Sequence, residues 1–210
     1  MGFDIQDRTR FEIVERTCDF CHKPQQMMRM QKFCDECVRK EQEKFRAIAL
    51  VHAYKAHGIP SRYIGYRLPE EYKYLAGKSC IIYGAYGTGK THLACQLLKE
   101  KMGWFFRATS LVETGSRGDY DNPIWRIAPL ICIDDLGKIA STDSKLERMF
   151  TIIDTRYTEK KTTIITVDMI GADIVDAFGR WGMAIVSRID EMMVRVALEK
   201  VWRKSLSEEN

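Results

Sequence analysis

Short, wholly apolar runs alternate with longer amphipathic stretches through most of this chain. Residues 80–83, 104–108, 129–135 and 162–168 read as strands buried on both faces. Residues 91–101 read as a helix. So do residues 143–160, where Leu146, Met149, Phe150, Ile153 and Tyr157 recur at three- and four-residue spacing as a core-facing stripe. The tail, 173–205, reads as mainly helical. Strand and helix in alternation predict an α/β fold, three layers deep, with a parallel sheet of about five strands. Upstream, residues 38–57 read as a helix, charged in its first half and apolar at 47–51, that Gly58-Ile59-Pro60 stops. The charged half suits a solvated face or a connector. Residues 115–123 are polar and read as a surface loop.

The first of these strands runs into Gly84-Ala85-Tyr86-Gly87-Thr88-Gly89-Lys90-Thr91, and a helix follows directly. Glycine, four residues, then Gly-Lys-Thr is the phosphate-binding loop pattern. Gly84, Gly87 and Gly89 let successive N–H groups turn inward around a phosphate, and the helix start adds partial positive charge. Lys90 is expected to reach the β- and γ-phosphates of ATP or ADP, and the Thr91 hydroxyl to ligate Mg²⁺. Gly84, Ala85, Tyr86, Gly87, Thr88, Gly89, Lys90, Thr91 and His92 form the candidate nucleotide set.

The strand at 129–135 ends in Asp134-Asp135. Ligands of open α/β sheets sit at the carboxyl ends of the strands, so both acids are expected beside Lys90 and Thr91. Asp134 then holds Mg²⁺ and Asp135 polarises the attacking water. Asp168, ending the next strand, is a candidate sensor of hydrolysis.

Cysteine spacing adds a second kind of site. Cys18 and Cys21, then Cys34 and Cys37, are two C-x₂-C pairs with twelve residues between them. That spacing suits a tetrahedral Zn²⁺, each pair giving two thiolates from one bend. His22 is a bystander in this reading. Cys80, Cys95 and Cys132 sit in apolar runs and read as core. Seven cysteines behind an N-terminus without a signal-peptide pattern suggest a reducing compartment, the cytoplasm, where disulfides are disfavoured. No apolar run approaches the roughly 20 residues that cross a bilayer, so no membrane partner is expected.

Composition changes little. The formal charge is +4, with 15 basic against 11 acidic residues in 1–80 and 18 against 18 afterwards. The excess therefore precedes the phosphate loop, which is compatible with a nucleic-acid partner. Arg62, Tyr63, Tyr66, Arg67, Tyr72, Lys73 and Tyr74 interleave basic and aromatic side chains. They suit stacking on bases or an adenine ring, and equally packing against the body. Three segments follow: a zinc-binding domain at 1–45, a helical lead-in at 46–76 and an ATPase domain at 77–210.

Together these motifs resemble the AAA+ helicase loaders of bacteria and their phages, the DnaC/DnaI type, and the related IstB transposition ATPases. The resemblance runs from about residue 58 to 203. Gly58-Ile59-Pro60-Ser61-Arg62-Tyr63, Thr91-His92-Leu93-Ala94, Asp134-Asp135-Leu136-Gly137, Asp154-Thr155-Arg156-Tyr157 and Ser187-Arg188-Ile189 carry it beyond the phosphate loop. It implies a hexameric replicative helicase as partner, with 1–45 as the partner-binding domain, single-stranded DNA as target, and self-association into a ring or spiral. It also implies Arg188 as an arginine finger inserted into a neighbour's ATP site, and Arg203 as a sensor arginine. Asp168 stands where that family generally has Asn, and the glycine usual before the sensor arginine is missing. The alternatives are an IstB-like helper on duplex DNA, or a nucleotide-switched adaptor with little hydrolysis.

Overall fold

The computed structural model describes residues 12–115, 118–168 and 172–199. The chain divides into two compact units between Ala53 and Tyr54.

In the first unit, β1 (Ile13–Thr17) and β2 (Pro24–Met28) pair antiparallel, Ile13 opposite Met28 and Thr17 opposite Pro24. Helix α1 follows at Asp35–Ala56, and the boundary between the units falls near its end. It starts three residues earlier than residue 38 because Asp35 and Glu36 meet the positive end of the helix. Cys37 therefore sits on a helical turn rather than in a free bend. Among the described residues of this unit Cys18, Met27 and Cys34 are buried apolar positions, with Cys21 and Cys37 packed against them.

The second unit begins as α1 ends. Gly58, at φ +79°, donates to Lys55 O (3.0 Å) and Ile59 N–H donates to Tyr54 O (3.1 Å), closing the last turn as a left-handed cap. Five parallel strands follow: β3 (Cys80–Tyr83), β4 (Trp104–Arg107), β5 (Leu130–Asp134), β6 (Thr162–Val167) and β7 (Val194–Ala197), ordered β4-β5-β6-β3-β7. Helix α2 (Lys90–Glu100) packs on one face with Leu93, Leu97 and Leu98. On the other face lie short α3 (Ala108–Leu111) and α4 (Ile124–Ile127), then α5 (Asp143–Thr158), α6 (Ala172–Phe178) and α7 (Gly182–Met192). This is the expected three-layer α/β architecture.

Two details differ from the sequence reading. The tail is not helical throughout: residues 194–197 form the fifth strand, parallel to β3, which Val194 N–H joins by donating to Ser79 O. A four-residue strand beside an amphipathic helix leaves little periodic signal. On α5 the buried positions are Leu146, Met149, Ile152, Ile153 and Arg156, while Phe150 and Tyr157 are half-buried. Cys80, Cys95 and Cys132 are buried as expected.

Candidate functional site

Because all five strands are parallel, their carboxyl ends gather at one edge. There a cleft of about 610 Å³ opens, lined by Gly87, Gly89, Lys90, Thr91, His92, Asp134, Asp135 and Asp168, together with Arg62, Tyr63, Tyr66, Tyr86, Arg107, Thr109 and Lys138. The loop before α2 turns on Gly84 (φ +150°), Gly87 (φ +84°) and Gly89 (φ +93°), and Thr88 clips it by donating to Ala85 O at 2.9 Å. A Cβ on Gly84 would stand 2.2 Å from Leu198 O, so the end of β7 holds that position to glycine. Ala85 and Tyr86 are exposed at the loop's tip.

Lys90 is 6% exposed. Its ammonium donates to Gly84 O (2.8 Å) and Ala85 O (2.9 Å), and pairs with Asp168 at 2.6 Å. Thr91 Oγ1 donates to Asp134 Oδ1 at 2.8 Å, and Thr166 Oγ1 donates to the same oxygen at 2.7 Å. Burial pushes the Asp134 carboxyl above its ordinary range, and these two hydroxyls pull it back. A hydroxyl and a buried carboxylate in contact make a hard oxygen site suited to Mg²⁺. Asp135 follows in the left-handed region (φ 59°), which turns its carboxylate out of the strand to meet Lys138 at 2.6 Å. Its N–H donates to Thr166 Oγ1, so Thr166 links the two acids.

His92 lies at the cleft wall with Tyr66 and Tyr63 edge-on to its ring, centroids 4.6 and 5.7 Å away. Burial holds its pKa down, so the imidazole is neutral at pH 7. The basic and aromatic residues 62, 63 and 66 thus belong to the cleft, and Arg62 stacks on the Tyr63 ring at 4.6 Å.

Sequence reasoning missed three cleft residues. Arg107 ends β4, and the strand-end rule that found Asp134 would have found it; Thr109 lies in α3 just after that strand, and Lys138 stands three residues after the acid pair, so neither carries that signal.

Arg188 stands apart from the cleft lining. Its Nε donates to Asp154 Oδ1 at 2.8 Å, and its guanidinium lies 5.5 and 5.6 Å from the Phe150 and Tyr157 rings. Arg180 and Arg195 pair with Asp143 and Asp190, as expected of surface arginines. Arg203 lies outside the described residues.

In the first unit the ligand atoms of Cys18, Cys21, Cys34 and Cys37 all lie within 4.8 Å of one another. Cys21 and Cys34 sulfurs are 3.9 Å apart, close to the roughly 3.8 Å edge of a tetrahedron with Zn–S bonds of about 2.3 Å. Hydrogen bonds from the Cys21 and Cys34 backbone hold the Cys18 thiol down to about 6, whereas the neighbouring thiols push Cys37 up to about 12. Four sulfurs this close can converge on one cation, which would take them as thiolates, and the set fits Zn²⁺.

No protein-family model matches the sequence, and no curated protein does. Solved structures do. A candidate primosome component from Streptococcus pyogenes serotype M3 superposes with TM-score 0.52 at 17% identity, over 70% of this chain and 95% of that one. A DNA replication initiation factor gives 0.51 at 22% identity, over 67% and 47%. The DnaC helicase loader gives 0.48 at 25% identity, over 75% and 89%. This chain spans about half the length of three of the initiator structures it matches, 45%, 47% and 49%. The likeness to the primosome component and the initiation factor shows that this chain shares their α/β fold.

Proposed function

We propose that this protein is an ATP-dependent loader of a hexameric replicative DNA helicase, acting on single-stranded DNA at the start of replication. The observation that carries the reading is one cleft in which Thr91 meets Asp134 at 2.8 Å beside the buried ammonium of Lys90. In this reading Lys90 and the loop N–H groups bind the phosphates, and Thr91 and Asp134 hold the Mg²⁺ that screens them. Asp135 orients and polarises the attacking water, and Asp168 senses the terminal phosphate. Arg188, supplied by a neighbouring protomer in a ring or spiral, answers charge that develops on the γ-phosphate oxygens. Arg203 reads the same phosphate from within its own chain. Residues 1–45, folded on zinc, grip the helicase, residues 46–76 connect, and residues 77–210 form the ATPase.

The loader assignment draws on the sequence resemblance, which extends past the phosphate loop into Asp134-Asp135-Leu136-Gly137 and Ser187-Arg188-Ile189. A second reading has its own support. Lys138 is paired with Asp135 and Asp168 with Lys90, so in this state neither Asp135 nor Lys90 is free for chemistry. That favours an adaptor that switches on nucleotide binding and turns over slowly.

Steady-state turnover with and without single-stranded DNA separates the two. A loader loses at least tenfold in turnover in both Lys90→Ala and Arg188→Ala, whereas an adaptor has little to lose. Co-elution with the purified helicase tests the partner: a protein lacking residues 1–45 should fail to co-elute, and retained binding refutes the assigned division of labour.

A further inference from the structure

Lys90 has three N–H donors, and the structure gives each an oxygen: Gly84 O, Ala85 O and Asp168 Oδ1. The first two belong to the loop that would wrap a phosphate. Asp168 is the only anion of the three, at 2.6 Å, and it is the partner that a phosphate oxygen would replace. Asp134 and Asp168, two of the three acids of the cleft, differ in how firmly they are held. Asp134 is 5% exposed and fastened by two hydroxyls. Asp168 follows the last residue of β6, and its side chain is 40% exposed, so it can swing into water once released.

We propose that Asp168 is an affinity-setting residue, a tethered anion that competes with the nucleotide's terminal phosphates for Lys90. The proposal rests on the nucleotide reading above. Before binding, Asp168 neutralises the buried ammonium and keeps Lys90 drawn onto the loop. On binding, the phosphate takes over the ammonium and Asp168 moves out. It remains near Asp134 and Asp135, so a metal-free triphosphate meets three carboxylates at the same cleft. Position 168 thereby weakens occupancy by any phosphate that arrives without a cation. A charge-assisted bond half open to water corresponds to about tenfold in an equilibrium constant.

The test is calorimetric titration of the full chain with ATP, without and then with magnesium, on the wild type, Asp168→Asn and Asp176→Asn. Asp176 is an exposed acid of α6 outside the cleft lining. Asp168→Asn should bind ATP about tenfold more tightly than wild type in magnesium-free buffer, and Asp176→Asn should match wild type. A gain of affinity cannot come from misfolding. Equal or weaker binding by Asp168→Asn overturns the proposal, and so does equal tightening by Asp176→Asn, which would assign the effect to net charge. If no variant binds ATP in either buffer, the nucleotide reading falls and this inference falls with it. That outcome is distinct from equal affinities among proteins that bind.

Discussion

A carboxylate at the end of a buried strand is costly unless something answers its charge. Asp134 is answered by two hydroxyls, and burial still leaves its pKa raised. An acid whose folded pKa lies above its unfolded value binds more protons when folded. Stability therefore falls as pH rises through the interval above about 4, and stays reduced at neutral pH. Asp134→Asn should raise the melting midpoint of the nucleotide-free protein at pH 7 by about 3 °C, the shift that about 1 kcal/mol gives at this chain length. It should also abolish magnesium-dependent turnover. A lower midpoint in scanning calorimetry would show that the charge is not a burden. Arg156 is the opposite case, a fully buried cation whose guanidinium donates to Thr163 Oγ1 (2.8 Å), Trp125 O (2.7 Å), Ala128 O (3.0 Å) and Thr162 O (2.6 Å). Burial lowers its pKa to about 10. Arg156→Met keeps the volume but leaves three carbonyls without their donor, so a loss of about 3 kcal/mol is expected. Urea denaturation reads it, and an unchanged midpoint would mean that water replaces the guanidinium.

At the scale of elements, the phosphate loop depends on a strand far from it in sequence. Leu198 N–H donates to Tyr83 O at 2.8 Å, and Leu198 O crowds the space above Gly84. Gly84→Ala combines a Cβ clash at 2.2 Å with a backbone angle of +150° that side chains rarely adopt. ATP affinity should fall at least tenfold while the far-ultraviolet dichroism stays near wild type. If calorimetry finds wild-type affinity, the end of β7 does not shape the loop. The pattern of apolar runs revealed four of the five strands, because each is buried on both faces and carries no alternation. The fifth, Val194–Ala197, was hidden because Val194, Arg195 and Ala197 are exposed and only Val196 is buried. Its place is set by pairing with β3, which no local pattern encodes.

At the scale of the whole molecule, the two units rest on different physics. The 54–210 unit has two large apolar clusters, one on each face of the sheet. Among the described residues the first unit has only Cys18, Met27 and Cys34 at its centre, too little apolar area to stabilise a fold without a cross-link or metal. The purified protein should carry about one zinc ion per chain. Chelation should open residues 12–53 to protease while leaving ATP affinity within about twofold, since every residue of the cleft lies beyond Tyr54. Protease resistance that survives chelation would refute the metal-dependent fold. Helix α1 buries none of its residues, and no helix among the described residues is long and apolar enough to cross a membrane.

What the sequence alone determined are the features that local chemistry dictates. Glycines, a lysine and a threonine at fixed spacing carry the phosphate-loop pattern where a strand feeds a helix, and paired cysteines at fixed spacing carry the pattern of a metal site. The tertiary structure decided which residues meet. Sheet order brought Asp168 onto Lys90 and Thr166 onto Asp134, and packing turned Arg156 inward and Arg188 onto Asp154. Those pairings join residues 31 to 78 positions apart, and hydrophobic periodicity reports only on neighbours within a few turns. Charges choose partners across space, so their roles became visible only once the strands were in order.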